Sequence, residues 1–342
     1  MVLKNIYGLS LPDLEEYFLA IGSKKFHAKQ LYDWLYVKRI ENFQEVTNIS
    51  KELLSKVDKD FTCSRLKIVE VQKDEDVRKY LFELADGEHI EAVLMIHDFG
   101  RSVCVSSQVG CNMGCRFCES GRRKKVRNLE TYEMVLQVLM IEKDLGERIT
   151  HVVVMGIGEP FDNYDNVMKF FTILNEPFGL AIGARHLTVS TCGVVPKIKE
   201  FANFPLQVNL AISLHAPNNK IRNQIMPINK AYPLEVLIPA LKEYYKKTNR
   251  RLTFEYVLLN GVNDTLECAE ELAKLVKDMN CYINLIPYNE TNNLNLKRSN
   301  TVQMMRFYDI LKKNNITVTI RKEFGGKISA ACGQLRSKKE EL

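Results

Sequence analysis

The sequence predicts an α/β protein built on an open, partial (βα)6 barrel, with an N-terminal helical domain and a small β extension. Two observations predict this fold. After residue 100, six short runs rich in β-branched and aromatic residues alternate with segments of helical length, two units short of a closed barrel. Before residue 62 the apolar spacing is helical, and from residue 66 it changes to that of strands. The predicted domains are 1–62 (helical), 63–100 (β-hairpin extension), 101–300 (barrel) and 301–342 (C-terminal extension).

Three helices are predicted in the first sixty residues. Ser10 is a good N-cap ahead of Pro12 and Asp13, a second helix runs near residues 28–36, and a third starts at Ser50. Basic side chains are frequent in this segment. A solvated helix face and a nucleic-acid surface explain them equally well.

After the helices, the sequence predicts a group of strands and then strands that alternate with helices. The first strand-like runs are 66–72, 78–84, 89–96 and 102–108, and the last of these is the first barrel strand. The remaining barrel strands are predicted at 151–156, 186–191, 207–215, 252–259 and 282–288. Helices are predicted between them, for example at 132–143, 166–174, 233–247 and 266–279. The tail from Thr301 adds a helix and a strand.

The composition excludes several classes of protein. The 342 residues are 46% hydrophobic with a net charge of +6, which supports a sizeable core and favours a polyanionic partner. Nine cysteines in a chain of this length do not indicate a disulfide scaffold. The sequence shows no signal peptide and no run of about 18 apolar residues. We therefore expect no membrane span and a cytoplasmic location.

Three cysteines in the row CNMGCRFC have the spacing CxxxCxxC: Cys111, Cys115 and Cys118. Full ligation of a [4Fe–4S] cluster takes four cysteines, so three would leave one iron open to a chelating cofactor. A structural zinc site is the alternative, but zinc sites usually contain CxxC pairs and the sequence has no second pair. The spacing therefore favours an enzyme that uses an iron–sulfur cluster for chemistry.

Other polar residues are predicted at the carboxyl ends of the strands, where parallel βα folds bind ligands. They are Gly156, Gly158, Glu159 and Pro160 after the second strand, Ser190 and Thr191 on the third, Ser213 and His215 on the fourth, and Asn289 after the sixth. Glu159 could accept hydrogen bonds from an ammonium group, and Gly158 allows close approach of the backbone. A turn, a strand-end hydroxyl or a core histidine explains each residue alone, but their shared position favours a binding site.

On these motifs the chain resembles the radical S-adenosylmethionine superfamily and, within it, the ribosomal RNA adenine methyltransferases of the RlmN/Cfr group. CVSSQVGC together with the terminal AACGQL is specific to the group, and the match extends to FHAKQLYDWLY, GIGEP, VSTCGVVP, NLAISLHAPN, MPIN and IPYN. GEP at 158–160 and the N-terminal segment are more similar to RlmN than to Cfr. The resemblance implies a radical-SAM barrel and an N-terminal domain that binds RNA.

The resemblance also implies an activity: methylation of carbon 2 of an adenine in 23S ribosomal RNA, at the peptidyl-transferase centre, and, as in some members of the group, of an adenine in the tRNA anticodon loop. Carbon 2 is electron-poor and cannot attack a sulfonium methyl as an ordinary nucleophile, so a cofactor must supply a radical route. The implied cofactors are a [4Fe–4S] cluster and two S-adenosylmethionine molecules per turnover. The implied partners are RNA and an electron donor such as flavodoxin or ferredoxin.

The same resemblance assigns roles to single residues. The implied contacts of S-adenosylmethionine are Gly158, Glu159, Ser190, Ser213, Leu214, His215 and Asn289. Cys332 accepts a methyl group, which a radical from the second S-adenosylmethionine activates for addition to the adenine. Glu91 is the implied proton acceptor, and Cys104 closes a transient disulfide with Cys332 that releases the product. A buried, inert thiol is the alternative for each of these two cysteines, and a solvent-facing carboxylate is the alternative for Glu91. The remaining cysteines are interpreted as structural: Cys63, Cys192, Cys268 and Cys281.

One stretch departs from the family pattern. The loop after the cysteines is usually less charged, but here it reads ESGRRKKVRNL, with the cations Arg122, Arg123, Lys124, Lys125 and Arg127. We expect these cations to contact the phosphate backbone of RNA. Three other functions stay open: a Cfr-like carbon-8 methyltransferase, a glycyl-radical activase, and a non-enzymatic iron–sulfur RNA-binding protein. An activase would need neither Cys104, Cys332 nor a base at Glu91.

Overall fold

The computed structural model describes residues 3–290, 295–321 and 328–335. Its strands are β1 (Lys4–Asn5), β2 (Phe61–Thr62), β3 (Lys67–Asp74), β4 (Val77–Glu83), β5 (His89–His97), β6 (Gly100–Cys104), β7 (Gln108–Val109), β8 (Arg127–Asn128), β9 (His151–Val154), β10 (Leu187–Thr191), β11 (Asn209–Ser213), β12 (Leu252–Leu258), β13 (Cys281–Pro287) and β14 (Thr317–Ile320). Its α-helices are α1 (Leu11–Ala20), α2 (Lys25–Tyr36), α3 (Lys51–Asp60), α4 (Thr131–Leu145), α5 (Tyr164–Asn175), α6 (Val195–Phe201), α7 (Asn219–Ile225), α8 (Leu234–Thr248), α9 (Leu266–Val276) and α10 (Thr301–Lys313).

The N-terminal helices begin at the predicted capping residues. Ser10 Oγ accepts a hydrogen bond from Asp13 N at 3.4 Å, and the Asp13 carboxylate accepts one from Ser10 N at 2.8 Å, which forms a capping box at the start of α1. Ser50 Oγ accepts from Leu53 N at 3.3 Å at the start of α3. α2 begins at Lys25, three residues before its predicted start, and has no side-chain cap.

A ten-stranded sheet forms the centre of the fold, in the order β14-β13-β12-β11-β10-β9-β6-β5-β4-β3. Within this sheet the neighbouring strands β6, β9, β10, β11, β12 and β13 pair in parallel, which confirms the predicted partial barrel, and β14 adds a seventh parallel strand beside β13. The antiparallel strands β3 to β5 continue this sheet through the pairing of β5 with β6. Within the described ranges, no helix is long and apolar enough to cross a membrane.

The first barrel strand ends earlier than predicted. The pattern at 102–108 predicted one strand, but β6 ends at Cys104 and Gln108 belongs to a separate two-stranded sheet with β8. The reason lies at Ser106, whose main-chain N–H and C=O both bond the side-chain amide of Gln137, at 2.9 and 3.1 Å. These groups are therefore unavailable to a neighbouring strand, and the chain turns towards the cysteine loop.

Two short helices, α6 and α7, were not predicted. Each has seven residues, which is too few for the helical spacing of apolar residues to become recognisable. Side chains around them provide the local signals. Asn218 Oδ1 accepts from Ile221 N at 3.0 Å to cap α7, and Pro196 lies in the first turn of α6.

Candidate active site

A cavity with an empty volume of about 950 Å³, part of it open to solvent, lies at the carboxyl ends of the parallel strands. The structure brings most of the predicted strand-end residues together in its wall. Those lining it are Cys111, Cys115, Cys118, Gly158, Glu159, Ser190, Ser213, His215 and Asn289. Gly156 also lines it, whereas Pro160, Thr191 and Leu214 do not. The Leu214 side chain is fully buried in the main core. Its main-chain N–H donates to Glu255 O, and its carbonyl accepts from Arg222.

The cysteine loop is fixed at both ends by main-chain hydrogen bonds. Cys111 N donates to Arg123 O at 2.9 Å, and Arg116 N donates to Ile225 O at the end of α7, also at 2.9 Å. Gly110 has a φ of +73°, and a Cβ there would lie 2.3 Å from Lys124 O, so this position requires glycine. The loop therefore presents its three thiols to the cavity from a defined backbone.

The donor set of this loop fits an iron–sulfur cluster. Burial raises the pKa of Cys111 to about 12 and also raises the pKa values of Cys115 and Cys118, so the free thiols are neutral until a bound metal deprotonates them. Of the residues that the structure describes, no three His, Cys, Asp or Glu side chains are grouped closely enough to ligate a metal ion as they stand. The three thiols thus share one wall, and cluster binding would have to draw them together.

Glu159 is a buried carboxylate at the cavity wall, 3% exposed. Its oxygens accept hydrogen bonds from Cys192 N at 2.8 Å and Phe161 N at 3.0 Å, which orient the side chain. Burial raises the pKa of Glu159, although these hydrogen bonds oppose the rise. A cationic ligand in the cavity would therefore stabilise the ionised carboxylate.

Gly158 packs against Ser107 and Gln108, in the segment that follows β6. It has a φ of +112°, and a Cβ there would lie 2.6 Å from Gln108 Cβ and 2.8 Å from Ser107 Oγ. We expect Gly158→Ala to lower the free energy of unfolding by about 1–3 kcal/mol, because it combines a steric clash with a strained backbone. Urea denaturation measures this loss. Gly183→Ala is the matched control, since a Cβ at Gly183 meets no atom within 4 Å, and an equal loss in both variants would contradict the expectation.

Two hydroxyls and one imidazole complete this rim. Ser190 Oγ and Ser213 Oγ, on the neighbouring strands β10 and β11, lie 3.4 Å apart. His215 Nδ1 accepts a hydrogen bond from Val257 N at 3.0 Å, and burial lowers the pKa of this histidine to about 3. The ring is therefore neutral at physiological pH and carries its proton on Nε2, which makes it a hydrogen-bond donor to a ligand.

A second cavity, of about 680 Å³, adjoins the first. Besides Cys118, it is lined by two cysteines, Cys104 and Cys332, that lie more than two hundred residues apart in the sequence. Cys104, at the end of β6, is buried, and Cys332 is exposed. Burial and the nearby Cys332 raise the pKa of Cys104 to about 12. Cys118 and Cys332 line both cavities, so this cysteine pair borders the cysteine loop directly.

The segment that carries Cys332 is held on the cysteine loop. Glu119 N donates to Gly333 O at 2.8 Å, and Ser120 Oγ donates to Leu335 O at the same distance. Two buried alanines, Ala330 and Ala331, precede Cys332. The thiol therefore lies on a short turn of small residues, immediately before the two anchored residues.

Glu91 lies near this cavity but does not line it. It is on the same face of β5 as Val93 and Met95, which do line it. The side chain is 4% exposed and pairs with Lys79 Nζ at 3.3 Å. The alternative of a solvent-facing carboxylate is therefore wrong.

Sequence reasoning missed two charged residues in the cavity wall, Glu255 on β12 and Arg321 after β14. Glu255 is buried and accepts from Asn284 Nδ2 at 2.8 Å, and Arg321 Nη1 lies 3.9 Å from it. Arg321 also lines the second cavity, beside both Cys104 and Cys332. Glu255 could have been identified from the sequence, because it is a charged residue inside the apolar run LTFEYVLL. In a barrel strand, such a side chain points into the barrel interior.

The basic run after the cysteines is largely paired with acidic side chains. Arg123 contacts Glu88 at 2.5 Å and Lys125 contacts Asp162 at 2.8 Å. Arg127 bonds Asp86 and Glu133, and Arg122 lies 3.7 Å from Glu119. These pairs attach the loop to its surroundings and reduce the positive charge available to a phosphate backbone. An RNA contact at this run stays a prediction.

Comparisons with known proteins agree with this geometry. Residues 105–276 match the family model described as radical SAM superfamily, and residues 4–62 match that of the ribosomal RNA large subunit methyltransferase N-terminal domain. The chain is 54% identical over 340 residues to a protein of Spiroplasma citri named "Probable dual-specificity RNA methyltransferase RlmN", with 98% of each chain covered. A protein of the same name from Enterococcus faecalis is 54% identical over 344 residues, covering 98% of this chain and 96% of the relative. A solved radical SAM methyltransferase from Sphaerobacter thermophilus superposes with a TM-score of 0.93 at 41% identity, covering 98% of this chain and all of that one.

Proposed function

Because the chain belongs to the RlmN family of radical SAM RNA methyltransferases, we propose that it methylates carbon 2 of an adenine in 23S ribosomal RNA, and of an adenine in the tRNA anticodon loop. The observation that supports this proposal most directly is the pair Cys104 and Cys332, which line one cavity beside the three-cysteine loop. A glycyl-radical activase or an iron–sulfur binding module has no need of such a pair.

In this proposal, Cys111, Cys115 and Cys118 hold a [4Fe–4S] cluster, and S-adenosylmethionine binds in the larger cavity. When bound, these cofactors would supply the methyl group and the radical that activates it. Glu159 binds the ammonium group, Ser190, Ser213 and Asn289 bind polar atoms, and the neutral His215 donates a hydrogen bond. Gly158 leaves room at the backbone. Leu214 borders the site only from the core.

Cys332 is the proposed methyl carrier. Its exposed position on a turn of small residues lets the sulfur accept a methyl group by displacement and present it to the RNA base. Cys104 then gives up its proton and attacks the Cys332 sulfur: an S–S bond forms, and the bond from that sulfur to the transferred carbon breaks. That carbon takes up a proton to become the methyl group, and the one electron left over would return to the bound cluster. Glu91 takes the proton from the base, and this assignment requires Glu91 to exchange its pairing with Lys79 for a contact with the substrate.

The remaining assignments follow from the same proposal. An electron donor such as flavodoxin or ferredoxin would supply electrons to the bound cluster, and two S-adenosylmethionine molecules would be used in each turnover. The N-terminal domain, 1–62, binds RNA, and the family match over 4–62 supports that boundary; the extension (63–100), barrel (101–300) and C-terminal segment (301–342) complete the division. A reducing cytoplasm suits the free thiols and an oxygen-sensitive cluster.

The product of the reaction tests this proposal. The reconstituted protein would be incubated anaerobically with S-adenosylmethionine, a reductant and unmodified 23S ribosomal RNA, and the digested RNA analysed by mass spectrometry against 2-methyladenosine and 8-methyladenosine standards. We expect 2-methyladenosine. A carbon-8 product would instead indicate a Cfr-like enzyme, and unchanged RNA with intact S-adenosylmethionine would favour a binding protein.

A further inference from the structure

Arg222, on the short helix α7, is a fully buried cation, with 0% of its surface exposed. Its guanidinium donates to the carbonyl oxygens of four residues and to one side-chain amide. The acceptors are Leu214 O (3.2 Å), Cys192 O (2.7 Å), Ser213 O (3.4 Å), Tyr232 O (3.5 Å) and Asn229 Oδ1 (2.8 Å). The side chain is therefore satisfied as a hydrogen-bond donor.

Its charge, however, is not matched by these partners. All five acceptors are neutral, and among the residues that the structure describes no carboxylate forms an ion pair with this guanidinium. A buried charge without a partner is costly, and burial lowers the pKa of Arg222 to about 10.

The position of Arg222 indicates what its charge is for. Two of its acceptors, Cys192 and Ser213, line the larger cavity, so the guanidinium lies directly behind the cavity wall. The cysteine loop also packs on the same helix, through the bond from Arg116 N to Ile225 O. Arg222 is thus close enough to interact electrostatically with the Cys115 thiol.

We propose that Arg222 is a positioning residue whose charge balances the anionic iron–sulfur cluster and raises its reduction potential. This inference rests on the proposed function, in which Cys111, Cys115 and Cys118 hold the cluster. A cluster of core charge 2+ on three thiolates has a net charge of about −1, and one electron from a reductant makes it about −2. A nearby cation stabilises the more negative, reduced form.

Glu159 is an acidic group that bonds to the same residue as Arg222, and it does not remove this effect. Its carboxylate bonds the N–H of Cys192, while Arg222 bonds the carbonyl of the same residue. In the proposed function Glu159 is matched by the ammonium group of S-adenosylmethionine. The positive charge of Arg222 then interacts mainly with the negative charge of the cluster.

A redox titration tests this role. The wild-type protein and Arg222→Gln, both with reconstituted clusters, would be titrated with dithionite and followed by electron paramagnetic resonance. We expect the equilibrium constant for one-electron reduction to fall at least about tenfold in the variant, a shift of about −59 mV. Arg222→Lys keeps the charge but not the five hydrogen bonds, so its potential should stay close to that of the wild type.

Two further variants separate charge from structure. Asn229→Asp places a carboxylate 2.8 Å from the Arg222 guanidinium and should also lower the potential, which decides the question if Arg222→Gln does not fold. Arg65→Gln is the matched control, because Arg65 bonds two main-chain carbonyls in the N-terminal domain. Unchanged potentials in both neutralising variants, or an equal shift in Arg222→Lys, would overturn the inference. Failure of the wild-type protein to bind a cluster would instead refute the proposed function.

Discussion

Cys332→Ala is expected to lose RNA methylation by at least about 10³-fold, a loss typical of removing a covalent catalytic group. The variant has no sulfur to accept the methyl group, so the first half-reaction has no product. Its fold should be intact, because Cys332 is exposed and the main-chain bonds of its segment, to Glu119 and Ser120, do not involve the thiol. Mass spectrometry of digested RNA measures the loss, and peptide mass spectrometry should find a methyl group on Cys332 of the wild-type protein.

Cys268→Ala is the matched control for this experiment. Cys268 is another free cysteine, but it is buried on α9 and lines neither cavity. We expect it to retain methylation close to the wild-type level. Full methylation by Cys332→Ala would show that the methyl group reaches the RNA without this sulfur, and the methyl-carrier proposal would then be abandoned.

The arrangement of the larger cavity was predictable from sequence for a definite reason. The carboxyl ends of parallel strands lie at one edge of a sheet, so Glu159, Ser190, Ser213 and Asn289 could be placed together once the strands were recognised. That rule does not decide where a side chain points beyond the end of a strand. Leu214 follows the last residue of β11, and its side chain is buried in the core although both of its neighbours line the cavity.

Contacts between residues that are distant in the sequence could not be predicted from the sequence alone. The run from Arg122 to Arg127 reads as free positive charge, and its acidic partners, such as Glu88 and Asp162, are far enough away in the sequence that only the fold brings them close. Arg222 was overlooked for the same reason. Nothing in its local sequence indicates that the surrounding elements bury it behind the cavity wall.

Removing one of the proposed cluster ligands should reduce RNA methylation as strongly as Cys332→Ala does. It should act earlier, at the binding of the cluster. Cys118→Ala leaves two cysteines in the loop, too few to hold the cluster that the protein would bind. We expect the iron content after reconstitution to fall from about four atoms per chain to near zero. Binding of S-adenosylmethionine and both methyl transfers should fall with it. Iron assay and the visible absorption of the cluster measure the first change, and equilibrium dialysis measures the second.

Cys192→Ala provides a demanding control for that experiment, because the larger cavity contains more than three thiols. Cys192 lines the same wall, is buried, and lies outside the CxxxCxxC loop. If the loop alone ligates the cluster, Cys192→Ala retains its iron while Cys118→Ala loses it. The opposite result would make Cys192 a ligand and leave Cys118, which also borders Cys332, to the second cavity. Since Arg222 bonds the carbonyl of Cys192 and not its sulfur, the charge behind the wall should remain in place in this variant, and its cluster should keep the wild-type potential.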